Sequence, residues 1–268
     1  MSTIRVCVLT GYGLNCDMET AYSFEQAGAK AVRTHINSLI AGDVDLSSFQ
    51  VLVFGGGFSW GDDHGAGVCQ AVRMKSKMGD AMLAFVSSGK LVIGICNGFQ
   101  ALVNLGLLPG LDNDYTARSV ALTYNDSGNF RDDWVTLRAN PASPCVWTRG
   151  IDLLDLPVRH GEGKFVAEDA VLSRIMGKNM VALTYAKADG SPARGSFPEN
   201  PNGSVHDIAG ICDPTGRVFG LMPHPEAFNH PANHPMFTRN NELKKRGRAV
   251  AFPRLGIEIF KSAVAALK

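Results

Sequence analysis

Short, nearly continuous apolar runs alternate with amphipathic stretches through the first 110 residues. Residues 4–9 (IRVCVL) form one such run, rich in β-branched side chains, and Gly11-Tyr12-Gly13 follows it. Residues 17–27 then carry apolar positions at helical spacing. Asp17 suits the positive end of that helix and Gly28 its stop. Further strands are expected at 31–34, 51–54 and 91–95, and further helices at 66–86 and 99–107, with Gly89, Gly106 and Pro109 as punctuation. Apolar runs joined by helices predict βαβ units and a parallel sheet. Parallel strands are buried on both faces, which explains why these runs do not alternate. Ligands bind beyond the C-terminal ends of such strands. Three glycine-containing turns (11–13, 55–57 and 96–98) fall there.

The second half reads differently. Residues 119–124, 134–137, 181–185, 208–212 and 218–222 are Thr-, Val- and Tyr-containing pieces separated by Gly, Pro and Asn turns. They predict antiparallel strands added to the same sheet. Residues 188–204 are a loop by composition, 227–254 a surface or interface extension, and 255–266 a closing helix. With no repeat and no linker, residues 1–268 are expected to form a single α/β domain with an open mixed sheet flanked by helices.

Composition narrows the function. Hydrophobic residues make up 45% and charged residues 19%, so the chain can build an ordinary core and is neither disordered nor collagen-like. Lys+Arg total 26 and Asp+Glu 25, which gives no field to draw nucleic acid or an anionic membrane. No apolar run reaches the ~18 residues of a membrane span. The first residues lack the pattern of a signal peptide, and the six cysteines are scattered without a CxxC pair, so a reducing, cytoplasmic setting is expected. His206, His230 and His234 have no cysteine or carboxylate at ligand spacing, so no metal is expected. Cys7 and Cys16 read as bystanders, one in a strand and one in the turn after it.

The candidate chemistry lies in three segments. Gly94-Ile95-Cys96-Asn97-Gly98 has the G-x-nucleophile-x-G form of a strand-to-helix elbow. The sharp turn demands glycine neighbours, and the helix N-terminus favours a thiolate at Cys96. The Asn97 N–H is free to face an oxyanion. His224 and Glu226, in Pro223-His224-Pro225-Glu226, follow the run at 218–222. Two apart in an extended segment, they point the same way, so Glu226 can orient the imidazole that serves Cys96 as base. Gly55-Gly56-Gly57 closes the third strand and offers a second oxyanion donor at Gly57. No GK[ST] follows, so this turn is not a P-loop.

These residues, with LTGYGLNCDMET (9–20), GGFSWGDDHGAG (56–67), GICNGFQALVNLGLLPG (94–110), LPVRHGEGKFV (156–166) and NPNGSVHDIAGICDPTGRVFGLMPHPE (200–226), resemble the class I triad glutamine amidotransferases. More closely, they resemble the glutaminase subunits of phosphoribosylformylglycinamidine synthase. The resemblance spans most of the chain. It implies a flavodoxin-like fold and a Cys96–His224–Glu226 triad that hydrolyses glutamine, with Gly57 and Asn97 as oxyanion donors. It also implies that Gln100, Gly161 and Glu162 contact the substrate in a pocket that His160-Gly161-Glu162-Gly163 helps to line. Ammonia would pass to a large synthetase subunit, in some members through a small bridging subunit. ATP and magnesium are expected on that partner and no cofactor on this chain. Gly55 departs from the family, which often has Pro there. Asp62-Asp63-His64 serves an interface or the pocket rim or is an exposed turn, and Lys244-Lys245-Arg246 is a solvated face. A peptidase or glyoxalase-type elbow cysteine enzyme shares GxCxG but lacks the downstream His-x-Glu with the glycine-rich turn. A catalytically silent regulatory homologue is opposed by the complete triad.

Overall fold

The computed structural model describes residues 3–250 and 253–268. In chain order its elements are β1 (Arg5–Thr10), α1 (Asp17–Gln26), β2 (Lys30–His35), α2 (Ile36–Ala41), β3 (Val51–Phe54), α3 (Val68–Ser87), β4 (Leu91–Ile95), α4 (Asn97–Leu105), β5 (Val120–Tyr124), β6 (Arg131–Ala139), β7 (Leu153–His160), β8 (Glu162–Ala167), α5 (Asp169–Gly177), β9 (Val181–Ala186), β10 (Ile208–Cys212), β11 (Val218–Leu221), α6 (Phe237–Lys245) and α7 (Ile257–Ala265).

Nine strands form one mixed sheet in the order β2-β1-β3-β4-β11-β10-β9-β6-β7. From β2 to β11 the pairings are parallel, and from β11 to β7 they are antiparallel. The expected α/β class with an open, flavodoxin-like parallel portion is what the chain adopts. The parallel order is the 2-1-3-4-5 arrangement that places ligands at strand C-termini. Every residue of β3, β4 and β11 is buried. In β6, by contrast, Val135, Leu137 and Ala139 alternate with more open positions.

Helices cover both faces. In α3 the buried Met74, Met78, Met82 and Phe85 recur at helical spacing. Along α4, Asn104 alone is not fully buried, because the helix lies over β3 and β4 at the centre. The closing helix α7 packs on α1, where the Phe260 and Phe24 rings meet edge to face at 4.8 Å.

One strand expectation is corrected. Residues 120–124 of the expected 119–124 form a strand, but β5 pairs only with β8, in a separate two-stranded ribbon. The cause is the bend at Gly161. β7 ends at His160 and β8 begins at Glu162, so the chain leaves the plane of the main sheet and offers its edge to β5.

Asp213, fully buried, closes the turn between β10 and β11. Its carboxylate accepts bonds from the N–H groups of Arg217 and Val218 at 2.9 Å each and from the hydroxyls of Thr215 at 2.7 Å and Tyr115 at 2.8 Å. Residues 227–250 and 253–254 run over the surface, apart from buried Phe228. Helix α6 within this stretch has no buried residue. Residues 251 and 252 of the expected extension lie outside the described residues.

Candidate functional site

Cys96 stands between β4 and α4 with φ 51° and ψ −107°, a conformation that an L-residue adopts only when its surroundings hold it. The glycines show what holds it. A Cβ on Gly94 would come within 2.6 Å of the Gly98 carbonyl oxygen, and one on Gly98 would overlap the Phe54 carbonyl oxygen. The elbow is thus locked between its own turn and β3. Cys96 N–H donates to Leu221 O at 2.8 Å, which ties the elbow to β11. Cys96 is 5% exposed, and its Sγ lies 3.6 Å from Arg159 O.

β11 delivers the second half of the site. Gly94 pairs with Gly220 and Ile95 with Leu221, and the chain leaves the sheet to reach His224. His224 N–H donates to Pro157 O at 2.8 Å. Its Nδ1 lies 2.6 Å from Glu226 Oε1, with both side chains almost fully buried. The reading of a wholly extended segment needs one refinement: His224 is extended, but Pro225–Ala227 is a 3₁₀ turn that folds the carboxylate back onto the ring. An ionised Glu226 only accepts, so Nδ1 carries the proton and Nε2 is the basic nitrogen. That Nε2 is buried with no protein hydrogen bond. Burial pulls the imidazole's pKa down, but the charge of Glu226, with a smaller push from Cys96, outweighs it and raises the pKa well above its ordinary value.

Gly57 continues from β3 with φ 143°. A Cβ there would come within 2.5 Å of Gly13 O, and one on Gly56 within 2.7 Å of His224 Cε1. Both positions therefore require glycine, for different neighbours. Gly55, where the family often has Pro, has open space around its Cβ direction. Gly57 and Gln100 share a cleft with Cys96, and Asn97 follows Cys96 directly in the chain. Asn97 N–H is the first of α4 and has no carbonyl partner within the helix. The Asn97 side chain reaches outward instead: Nδ2 donates to Asp62 Oδ1 at 3.1 Å.

One cleft contains Cys96, Gly57, Gln100, Gly161 and Glu162, and encloses about 210 Å³ including its opening. Gln100 Nε2 donates to Glu162 O at 2.6 Å, and Glu162 Oε2 accepts from Ala66 N–H at 3.3 Å. A larger hollow of about 920 Å³ between α2 and α3 has neither cysteine nor histidine in its lining and offers no comparable chemistry.

Two contributors, Phe58 and Cys16, escape sequence reasoning, while Asp62 takes its pocket-rim alternative. Asp62 and Phe58 line the cleft. Cys16 is no bystander: its Sγ lies 3.9 Å from His224 Nδ1, and burial pushes its thiol pKa up, so it stays protonated. His160 also lines the cleft, and its Nδ1 lies 3.0 Å from Asn125 Oδ1. Asn125 Nδ2 donates to the carbonyls of Asn129 and His160, so its Oδ1 must accept and His160 Nδ1 must donate. Burial, reinforced by the charge of His224, lowers the His160 pKa to about 3 and keeps the ring neutral. His160 belongs to the HGEG segment expected to line the pocket. Cys16, His224 and Glu226 bring three metal-capable atoms within 4.8 Å of one another, but two of them are engaged in the His–Glu bond.

A buried elbow cysteine beside a His–Glu pair, with Gly57 in the same cleft, is the arrangement of a thiol-dependent amide hydrolase, and comparison with known proteins agrees. Residues 3–265 match the family described as the CobB/CobQ-like glutamine amidotransferase domain. The chain is 44% identical to phosphoribosylformylglycinamidine synthase subunit PurQ of Dehalococcoides mccartyi, over 98% of each chain. It is 42% identical to the PurQ subunit of Methanococcus maripaludis, over 97% of this chain and 96% of that protein. Among solved structures, PurLQS from Thermotoga maritima matches with a TM-score of 0.71 at 28% identity, covering 100% of both chains. The elbow, the His–Glu pair and near full-length likeness all lead to one assignment: this chain belongs to the CobB/CobQ-like glutamine amidotransferase family.

Proposed function

We propose that the chain is the glutaminase subunit of a phosphoribosylformylglycinamidine synthase. The observation that carries the chemistry is the 2.6 Å His224–Glu226 contact beside Cys96 at positive φ. In this reading the Cys96 thiol passes its proton to His224 Nε2, and Glu226 stabilises the imidazolium. The thiolate adds to the carboxamide carbon of glutamine. The N–H groups of Gly57 and Asn97 receive the oxyanion. Collapse of the adduct breaks the C–N bond. His224 returns its proton to the departing nitrogen, so ammonia leaves and a γ-glutamyl thioester remains. A water, deprotonated by His224, then cleaves the thioester to glutamate and restores the thiol. Gln100, Gly161 and Glu162 hold the substrate.

The ammonia is passed to a larger synthetase subunit, where ATP with magnesium activates the amide oxygen of formylglycinamide ribonucleotide and ammonia replaces it. Support for this assembly comes from the relatives' name and from the PurLQS structure. A small bridging subunit and a cytoplasmic setting belong to the same reading. No helix among the described residues is long and apolar enough to cross a membrane.

The test is glutamate release from glutamine by the chain alone and with the synthetase subunit, ATP and formylglycinamide ribonucleotide. Release should depend on the full mixture, and strong release by the chain alone would remove the coupling. Cys96→Ala should cut glutamine-driven synthesis by about 10⁴-fold or more while ammonium-driven synthesis persists. Loss of both would make Cys96 a structural residue.

A further inference from the structure

The cleft that holds Cys96 carries two carboxylates, those of Asp62 and Glu162. Neither forms an ion pair with a lysine, arginine or histidine among the described residues. Each is anchored only by a neutral donor: Asn97 Nδ2 on Asp62 and Ala66 N–H on Glu162. Trp60, Gly61 and Asp62 all have positive φ, at 55°, 68° and 55°, so the chain accepts local strain to hold Asp62 there. Another lining residue, His160, has a buried Nε2 without a hydrogen-bond partner. Arg159 also lines the cleft, but its guanidinium faces Asp132 at 3.9 Å and pairs with neither carboxylate. The cleft thus contains two carboxylates without an ion-pair partner and an unused acceptor, an incomplete hydrogen-bonding set that a ligand can complete.

Two like charges in a half-buried cleft repel, and a cation between them relieves both. Burial, with the charge of Glu162, pushes the Asp62 carboxyl up to about 6. Glutamine brings such a cation. Its carboxamide is the reacting end, and its α-ammonium lies at the far end of the same chain. We propose that Asp62, assisted by Glu162, binds the α-ammonium group of glutamine and selects a free α-amino acid amide over a simple amide. This rests on the glutaminase reading above and assigns its substrate specificity. A site built to pair a charged group discriminates strongly against a ligand lacking it, because its own polar groups are then left unpaired.

The experiment compares kcat/KM of the reconstituted complex for L-glutamine and for 4-carbamoylbutanoate, the same molecule without its α-amino group. The proposal expects Asp62→Asn to lower the glutamine-to-analogue ratio by about 10- to 100-fold, the loss of one charge-assisted bond, mainly through KM for glutamine. Glu162→Gln is expected to lower it in the same sense and less. A wild-type pH series needs no variant: the ratio should rise as pH rises through about 6, when Asp62 ionises. The groups around Asp62 are Glu162 from β8, Asn97 from α4, Arg159 from β7, whose charge does not change over this pH range, and Asp63 and His64 on its own loop. Titration of the triad acts on both substrates alike and cancels. Parallel loss of both substrates in Asp62→Asn, with a pH-independent wild-type ratio, would overturn the proposal and leave Asp62 a loop-supporting residue. Absence of glutamine turnover in the wild-type complex is a different failure: it removes the glutaminase reading, and this assignment with it.

Discussion

The parallel and antiparallel portions of the sheet solve different problems. From β2 to β11, strands are buried on both faces, and the chemistry sits on the tight turns beyond their ends. There main-chain geometry does the work: Cys96 is aimed by φ, and Gly56 and Gly57 admit their neighbours by having no side chain. From β10 to β7 and in the β5–β8 ribbon, side-chain hydrogen bonds set the wall of the cleft. Asn202 Nδ2 donates to Gly163 O at 2.9 Å and Ser204 Oγ accepts from Phe165 N–H at 2.9 Å. Asn125 fixes the tautomer of His160. One portion therefore tolerates no added atom, and the other no lost partner.

The largest effect should come from adding a methyl where the parallel portion is closed. Gly98→Ala drives a Cβ into the Phe54 carbonyl and should cost about 3 kcal/mol or more, read from urea unfolding, with loss of glutamine hydrolysis. The same change at Gly177, at the end of α5, meets nothing within 4 Å and needs no positive φ. It should be neutral or stabilise by about 0.5–1 kcal/mol. Equal costs at both positions would erase the contrast.

A middle effect tests the polar wall through pH. His160 is neutral in the fold down to about pH 3, whereas an unfolded histidine protonates near ~6.5. Below ~6.5 the unfolded state therefore binds the extra proton. Stability should fall with pH by up to ~1.4 kcal/mol per unit from this residue until the folded pKa is reached. His224 acts in the opposite sense: its folded pKa is raised, so its contribution is present below the unfolded value and lost as pH rises through the folded one. Denaturation of the wild type and of His160→Gln at pH 7 and 5 isolates the first contribution, and identical slopes would refute it. The smallest effect belongs to the exposed α6. Arg246→Ala breaks a surface pair with Glu242 and should move the thermal midpoint by less than about 2 °C.

The same division explains what could be read in advance. Residues 51–54 and 91–95 announce themselves as strands because continuous burial leaves a continuous apolar run. Gly94, Gly98, His224 and Glu226 carry their geometry in residue type and spacing. β7 hid because Pro157, Arg159 and His160 interrupt its apolar alternation, although Leu154, Leu156 and Val158 are buried. Polar residues 188–204 do form a loop, yet Asn200 and Asn202 within it are buried, turned inward to support β8 and its neighbours. Cys16 looked idle because its contact with His224 spans 208 residues of chain. Such a meeting depends on tertiary placement that no local pattern records.

The Asp213 turn acts as a ruler. It pins the start of β11, the Gly94–Gly220 rung fixes that strand against β4, and the chain then reaches His224. The reach of His224 to Cys96 is thus counted in residues from one buried carboxylate. Length changes can be absorbed in loops such as 188–204 or in the surface path beyond Phe228. A single inserted residue between Asp213 and Val218 would shift β11 by one position and exchange its two faces, and one between Leu221 and His224 would displace the imidazole itself. Indels in this gene should therefore be excluded from that short interval even where every individual side chain there tolerates substitution.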